Sequence, residues 1–215
     1  MFPPLDIGVF EKNTGVRLYA RGVQKIVSMR DINKIISVEA MPVDYLEKLI
    51  RNIALEGDLE CKPYKNCQIK LARIDPWNVK VGQTFVERGK ILSLLENFTN
   101  FFQEYCITRG AAKCNAYIII GIKDNIKVLA HYVPPIIEEN YDSTLLDGVH
   151  RSFLIKNVGT TSEAIIIKDV KIRFPSIPQD WSLVNFVDTK PPRETRYKEL
   201  NTSLFRDLKK VGIDG

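Results

Sequence analysis

Ten residues in the second half of the chain, LLDGVHRSFL (145–154), place a carboxylate, a glycine, an imidazole and a guanidinium between apolar residues. The apolar run that ends at Leu146 predicts a short buried strand, and the residues from Val149 onward have helical spacing. Gly148 can supply a sharp turn between the two elements. The pattern therefore predicts a strand, a glycine turn and the first turn of a helix.

Such a helix start is suited to binding an anion. The first amides of a helix have no intrahelical partners, and they carry the positive end of the helix dipole. Arg151 offers a planar pair of donors to phosphate oxygens, and His150 can donate a hydrogen bond or move a proton near neutral pH. Asp147 could orient a hydroxyl group or hold a metal ion. The residues alone leave a structural alternative, in which Asp147 caps the helix and the two basic residues are ordinary surface residues.

The segments on both sides of this turn predict strands and helices. The run IKLARI ends at the breaker pair Asp75-Pro76, and Thr84 with Glu87 forms a capping box for a long helix over 85–108. Its apolar residues recur at helical spacing, which is typical of a stripe facing a core. Further strands are predicted in AYIIIG (116–121), NIKVLAHYV (125–133), Ile136-Ile137 and EAIIIKDV (163–170).

The two ends of the chain predict separate units. Before residue 67 we expect a small α/β extension, with one or two strands in 15–28, a short helix near 29–37 and a stronger helix from Pro42 to Gly57. From residue 173 several prolines predict an irregular wrap, followed by a basic amphipathic helix, RYKELNTSLFRDLKK (196–210). The expected domains are 1–66, 67–172 and 173–215.

The composition is that of a globular protein with a buried core, since 45% of the residues are hydrophobic and 27% are charged. No apolar run approaches the roughly 20 residues that span a bilayer. The start, MFPPLDIGVF, lacks the pattern of a signal peptide. We therefore expect a cytoplasmic protein with no membrane partner. The net charge of +5 suits an anionic partner, although the excess is modest.

The cysteines and histidines do not have the spacing of a metal site. The cysteines are Cys61, Cys67, Cys106 and Cys114, and the two histidines are His131 and His150. Because a zinc site needs four ligands at close spacing, we predict none here. Free thiols are expected, and a disulfide between Cys61 and Cys67 is the alternative for a thermophilic source.

The order of these elements and the D-G-x-H-R motif together resemble the ParB/sulfiredoxin superfamily over about residues 68–170. The matching residues are Asp147, Gly148, His150 and Arg151, and more loosely Asn78 and Gln83. In that superfamily a glycine and a basic pair open a helix that binds nucleotide phosphates. The resemblance implies an α+β fold with a mixed sheet and flanking helices. It also implies a nucleotide (ATP, ADP or CTP), with Mg²⁺ as a candidate ion, bound at Gly148, Val149, His150 and Arg151.

The motif is most similar to the free-serine kinase branch and to the DGQHR proteins associated with DNA modification, and three departures limit what it implies. Sulfiredoxins place a catalytic cysteine where this chain has Val149, which argues against a sulfinic-acid reductase. The kinase branch has a catalytic glutamate in the loop after the first strand, where this chain offers Asn78. Partition proteins continue into a helix-turn-helix domain, and the residues after Val158 lack the pattern of one.

Glu138 is a further candidate for catalysis, because a strand over 135–138 beside the strand ending at Leu146 could direct its carboxylate towards the same pocket. The alternative is that Glu138 and Glu139 are a solvated pair of loop carboxylates. The candidate catalytic residues are Asp147, His150 and Glu138.

Three functional hypotheses follow from the sequence. The first is a nucleotide-dependent phosphotransferase or hydrolase. The second is a DNA-binding or nuclease-like protein of DNA modification, plasmid maintenance or defence, which would contact DNA through the basic C-terminal helix. The third is a non-catalytic interaction module. The sequence does not determine the oligomeric state.

Overall fold

The structure is a computed structural model that describes residues 3–18, 20–101 and 116–214, with residues 97–101 described by their backbone alone. The α-helices are α1 (Ile7–Thr14), α2 (Val43–Arg51), α3 (Arg88–Phe101), α4 (Val149–Asn157) and α5 (Arg193–Arg196). The strands are β1 (Leu5–Asp6), β2 (Lys25–Ile26), β3 (Lys34–Ala40), β4 (Ala54–Leu55), β5 (Gln68–Ile74), β6 (Lys80–Val81), β7 (Phe85–Glu87), β8 (Tyr117–Lys123), β9 (Ile126–Tyr132), β10 (Ile136–Glu139), β11 (Ser143–Asp147), β12 (Ser162–Lys168), β13 (Asn185–Val187) and β14 (Arg206–Asp207). The fold is α+β, as the sequence predicts.

Contacts divide the chain into two compact units, each built from separate stretches of sequence. Unit 1 consists of Met1–Asn66, Asn115–Val133 and Arg206–Gly215, and unit 2 consists of Cys67–Cys114 and Pro134–Phe205. The predicted domains at 1–66, 67–172 and 173–215 divide the sequence linearly. A division by contacts does not test these linear boundaries, so the three domains stay a prediction.

Unit 1 contains a sheet with the strand order β1-β2-β9-β8-β3. Strands β8 and β9 form the predicted hairpin, with Lys123 paired to Ile126 at its closed end. Asp124 and Asn125 both have positive φ, as a two-residue turn of this kind requires. β3 pairs antiparallel with β8, and β2 pairs parallel with β9, so the hairpin is the centre of the sheet.

The helix predicted near 29–37 is wrong. Met29–Asp31 is a single 3₁₀ turn, and the residues from Lys34 onward form β3. The segment KIISVEA is rich in β-branched residues, which suit a strand, and its pairing with β8 provides the partner that a local pattern cannot show. The structure therefore replaces the predicted helix with an edge strand.

The helix predicted from Pro42 is confirmed as α2, although it ends earlier than expected. It buries Leu46, Leu49 and Ile50 on one face. The predicted end at Gly57 is wrong, because the chain leaves the helix at Asn52 and then pairs β4 with β14.

The predicted basic helix over 196–210 is also wrong. α5 ends at Arg196, and the rest of that segment contains the 3₁₀ turn Thr202–Leu204 and strand β14. The Asn201 side chain accepts a hydrogen bond from the Ser203 amide, a local bond that competes with helix formation. Arg206, expected on an exposed face, is buried, and its Nε donates to the Tyr64 hydroxyl. The helix expected to contact DNA does not form, and DNA contact by the exposed basic residues of this segment, such as Lys198 and Lys209, stays a prediction.

Unit 2 contains a mixed sheet with the order β5-β12-β10-β11-β6. β12 is parallel to β10 and antiparallel to β5, while β10 and β11 are antiparallel. Ile91 of α3 and Val149 of α4 belong to one hydrophobic core with sheet residues such as Ile137. The sheet and these two helices thus share one core.

The predicted capping box at Thr84 is wrong. Phe85–Glu87 is strand β7, which pairs parallel with β13, and α3 begins only at Arg88. The Thr84 amide donates to the Arg196 carbonyl. Pairing with a distant strand therefore delays the helix by one turn. The predicted helix residues 102–108 lie outside the described part of the chain.

Two expectations concern membranes and cysteines. In the described ranges, no helix combines the length and the apolar character needed to cross a bilayer. Cys61 and Cys67 are free thiols. Cys106 and Cys114 lie outside the residues that the structure describes.

His131 is a buried titratable group in unit 1. Its Nδ1 donates to the Gly212 carbonyl at 3.1 Å, and its Nε2 accepts from the Tyr45 hydroxyl at 2.7 Å. Burial lowers the pKa of His131 to about 4, against a smaller opposing effect of the Gly212 hydrogen bond. Burial also raises the pKa of Tyr45. The neutral imidazole therefore links β9 to both α2 and the C-terminal segment.

This burial predicts an acid-sensitive fold. Between pH 6.5 and about pH 4 the unfolded state binds a proton at His131 that the folded state does not, so stability falls as the pH falls. Below about pH 4 the protonation of His131 has lowered the free energy of unfolding by about 3 kcal/mol. In urea unfolding, the free energy of unfolding of His131→Gln should depend less on pH than that of the wild type. The wild type should therefore lose its advantage in stability over the variant as the pH falls from 6.5 to about 4.

Tyr45→Phe is the matched control, since it removes a hydrogen bond to His131 but leaves the imidazole buried. It should keep the acid dependence while lowering stability by about 1–3 kcal/mol. An equal acid dependence in the wild type and in His131→Gln would contradict the prediction.

Candidate functional site

The strand, turn and helix predicted at residues 145–154 are confirmed. β11 ends at Asp147, Gly148 adopts φ 90° and ψ 23°, and α4 begins at Val149. No side chain caps the helix, so the alternative with Asp147 as the cap is wrong. Asp147 instead forms an ion pair with Arg151, with 3.3 Å between Oδ2 and Nη2, and both side chains are largely buried.

Gly148 is required at this turn for two reasons. Its positive φ is unfavourable for other residues, and a Cβ atom there would lie 3.0 Å from both Cα and Cβ of Pro135. Pro135 immediately precedes β10, the partner strand of β11. The glycine thus allows α4 to begin in close contact with the neighbouring strand.

His150 joins the beginnings of α3 and α4. Its Nε2 accepts a hydrogen bond of 3.1 Å from the backbone N–H of Glu87, the residue before α3. The amides at the start of a helix lack intrahelical acceptors, so His150 satisfies one of them. Because a backbone N–H can only donate, Nε2 carries no hydrogen, and the neutral ring holds its proton on Nδ1.

A shallow pocket lies beside this hydrogen bond. It encloses about 200 Å³, which includes solvent at its open mouth, and its lining residues are Gln83, Phe85, Glu87, His150, Val187, Lys190, Pro191 and Arg196. Nη1 of Arg196 donates to Oε1 of Gln83 at 3.2 Å. Nε of Arg196 is buried and has no hydrogen-bond acceptor within the described ranges. The lining thus combines two cations and an imidazole with one carboxylate.

The pocket includes some of the predicted site residues but not others. His150 and Gln83 line it, whereas Asn78 lies exposed in the 3₁₀ turn Pro76–Asn78. Asp147 and Arg151 form an ion pair at the same helix start without lining the pocket. Val149 belongs to the hydrophobic core, so its side chain does not line the pocket either.

The structure places Glu138 away from α4. It is a buried residue of β10, and the preceding residue, Ile137, packs in the same core as Val149. Successive side chains of a strand point to opposite faces of a sheet. Glu138 therefore lies on the other face of the sheet from α4, and a role for it at this pocket has no geometric support.

Sequence reasoning missed Lys190, placed Arg196 in a basic helix, and gave Glu87 a role in a capping box. The three residues come together because β13 pairs with β7 and the chain then continues past the start of α4. No local motif marks Lys190 or Arg196. Their proximity to His150 is a product of the long-range pairing.

The described residues contain no group of three or more His, Cys, Asp or Glu side chains arranged to hold a metal ion. Glu87 is the carboxylate that lines the pocket, and Asp147 is paired with Arg151. These residues do not form a carboxylate cage for Mg²⁺, which commonly binds through one or two carboxylates together with substrate phosphates.

The close contact at Gly148 gives a prediction about stability. Gly148→Ala and Gly159→Ala both place alanine at a positive φ, but a Cβ at residue 159 would meet nothing within 4 Å. Each should lose about 1–2 kcal/mol from the backbone conformation. Gly148→Ala should lose a further 1–3 kcal/mol, approximately, because its Cβ overlaps Pro135. Urea unfolding measures both, and equal losses would contradict the predicted contact.

The chain was compared with known proteins at the level of family, sequence and structure. A family model described as the ParB CE domain matches residues 44–185, more than half of the chain. No curated protein and no solved structure matches it. The matched region includes the start of α4, whereas Lys190 and Arg196 lie beyond its end. The ParB-like resemblance predicted from the sequence is confirmed: the chain belongs to the ParB CE domain family.

Proposed function

We propose that this ParB-family chain binds the phosphate group of a nucleotide in the pocket beside α4. The observation that carries the proposal is the meeting of His150, at the second residue of α4, with Lys190 and Arg196 from the segment after β13. Two cations close to a helix start favour an oxyanion as the occupant. The resemblance of the D-G-x-H-R motif to nucleotide-binding sequences supports the same ligand class.

The hydrogen bonding of Arg196 also supports an anionic ligand. Its Nη1 donates to Gln83, but its buried Nε has no acceptor among the described residues. A buried donor without an acceptor costs about 1–3 kcal/mol, and more when the group is charged. An oxygen of a bound phosphate could accept from this guanidinium and remove part of that cost.

The size of the pocket limits which part of a nucleotide it takes. The pocket is small and shallow, and its empty space of about 200 Å³ includes the solvent at its open mouth. We therefore propose that the pocket receives a phosphate group and that the nucleoside extends outside it. The candidate ligands are ATP, ADP and CTP. Any Mg²⁺ would be carried mainly by the phosphates, since the described residues supply no cage for it.

The proposal is for binding, and catalysis is a further hypothesis. A phosphotransferase or hydrolase needs a group that positions or deprotonates the nucleophile, and Glu87 is the carboxylate of the pocket. The DNA hypothesis named a C-terminal helix that does not form, so DNA contact through the exposed basic residues of that segment stays a prediction. The interaction-module hypothesis has no specific observation in its favour.

Nucleotide binding is tested by calorimetry with ATP, ADP, CTP and inorganic phosphate, each with and without Mg²⁺. Arg196→Gln removes a charged donor whose hydrogen bond contributes about 1.5–3 kcal/mol, so the affinity should fall by roughly tenfold or more. Arg73→Gln is the matched control, because Arg73 is an exposed residue of β5 that does not line the pocket.

The absence of heat with every one of these ligands would overturn the proposed function. An equal loss of affinity in Arg73→Gln and Arg196→Gln would show that binding occurs elsewhere. Release or transfer of labelled phosphate in the same samples measures whether the bound nucleotide reacts.

A further inference from the structure

His150 has the wrong hydrogen-bonding polarity for an anion. Its Nε2 lone pair accepts from the Glu87 N–H, so this nitrogen presents electron density and no proton. An anion in the pocket would bring oxygen lone pairs towards an imidazole that cannot donate through Nε2. The hydrogen bond from Glu87 therefore belongs to the neutral form of His150.

The Glu87 N–H is a donor suited to that anion. It lies at the start of α3, where the helix dipole has its positive end. Both Glu87 and His150 line the pocket. An oxyanion could therefore take the place of the imidazole as the acceptor for this amide.

We propose that anion binding in this pocket is coupled to the uptake of one proton by His150. The inference rests on the proposed function, because it concerns the same pocket. A proton from solvent adds to the Nε2 lone pair, and the Glu87 N–H···Nε2 hydrogen bond breaks. The resulting imidazolium donates to the anion, and the Glu87 N–H donates to the same anion. No other bond forms or breaks.

The surrounding charges explain why the anion controls the proton. Lys190 and Arg196 line the pocket, and without an anion their positive charges oppose protonation of His150. The Glu87 carboxylate favours protonation of His150. Of the other charged residues near the two helix starts, Asp147 pairs with Arg151 and Arg88 pairs with Asp188, while Lys90 adds a further cation to the first turn of α3. A bound dianion adds negative charge next to Nε2 and makes the imidazolium favourable.

The consequence is an affinity that depends on pH. Because the bound state holds one more proton than the empty state, anion affinity must rise as the pH falls. The change can reach about tenfold per pH unit. Sulfate is the appropriate probe, since it stays fully ionised near neutral pH whereas phosphate itself titrates there.

The test is calorimetry of sulfate binding to the full chain in two buffers of different ionisation enthalpy. At about pH 7.5 we expect an uptake of up to one proton per sulfate, and an affinity that falls between about pH 6 and about pH 8. His150→Gln keeps an acceptor for the Glu87 N–H but cannot titrate. It should bind sulfate with no proton uptake and with a flat pH profile.

Lys190→Gln is the matched variant, since it removes a pocket cation and leaves His150 intact. It should bind sulfate more weakly and still take up the proton. A nuclear magnetic resonance titration gives an independent readout in the wild type, because the chain has only two histidines. Sulfate should shift the His150 ring signals towards those of the imidazolium.

The outcomes separate this inference from the proposed function. Sulfate binding without proton uptake, or undiminished uptake in His150→Gln, would overturn the coupling and leave the phosphate pocket standing. If neither sulfate nor any nucleotide binds, both proposals fail. Unchanged His150 signals at saturating sulfate would also overturn the coupling.

Discussion

The close approach of Gly148 to Pro135 is the constraint on which the site depends. Because the glycine has no Cβ and adopts a positive φ, β11 can end and α4 can begin within one residue while lying directly against the chain before β10. That position of α4 sends Val149 into the core of unit 2 and leaves His150 beside β7. A larger residue would force α4 or Pro135 to shift, because its Cβ would lie only 3.0 Å from Pro135.

Basic side chains and two helix N-termini come together where α3 and α4 begin. Two helix starts meet through the hydrogen bond between Glu87 and His150, and Lys190 and Arg196 are added by the segment after β13. In the empty pocket the neutral imidazole satisfies one helix amide and adds no charge. Glu87, His150, Lys190 and Arg196 therefore carry the proposed affinity of the pocket for a phosphate group.

The family match and the two compact units describe different properties of the chain. The ParB CE domain match begins at residue 44, within α2, and ends at residue 185, so it includes segments of both units. Strands β8 and β9 lie inside the match but pair with β3 and β2, which precede it. The last residues of the chain also belong to unit 1, where β14 pairs with β4 and the Gly212 carbonyl accepts a hydrogen bond from His131. Strands of the matched region thus pair with strands that lie before and after it in the sequence.

Local chemistry was enough to predict the turn at Gly148, the helix from Pro42 and the hairpin of β8 and β9, because each depends on neighbouring residues and on turn geometry. The sequence did not reveal that KIISVEA is a strand, that β7 precedes α3, or that the tail forms β14 and not a helix. Those outcomes depend on strand partners far away in the chain. The same is true of the pocket: the D-G-x-H-R residues were recognisable from the sequence, whereas Lys190 and Arg196 reach His150 only because β13 pairs with β7.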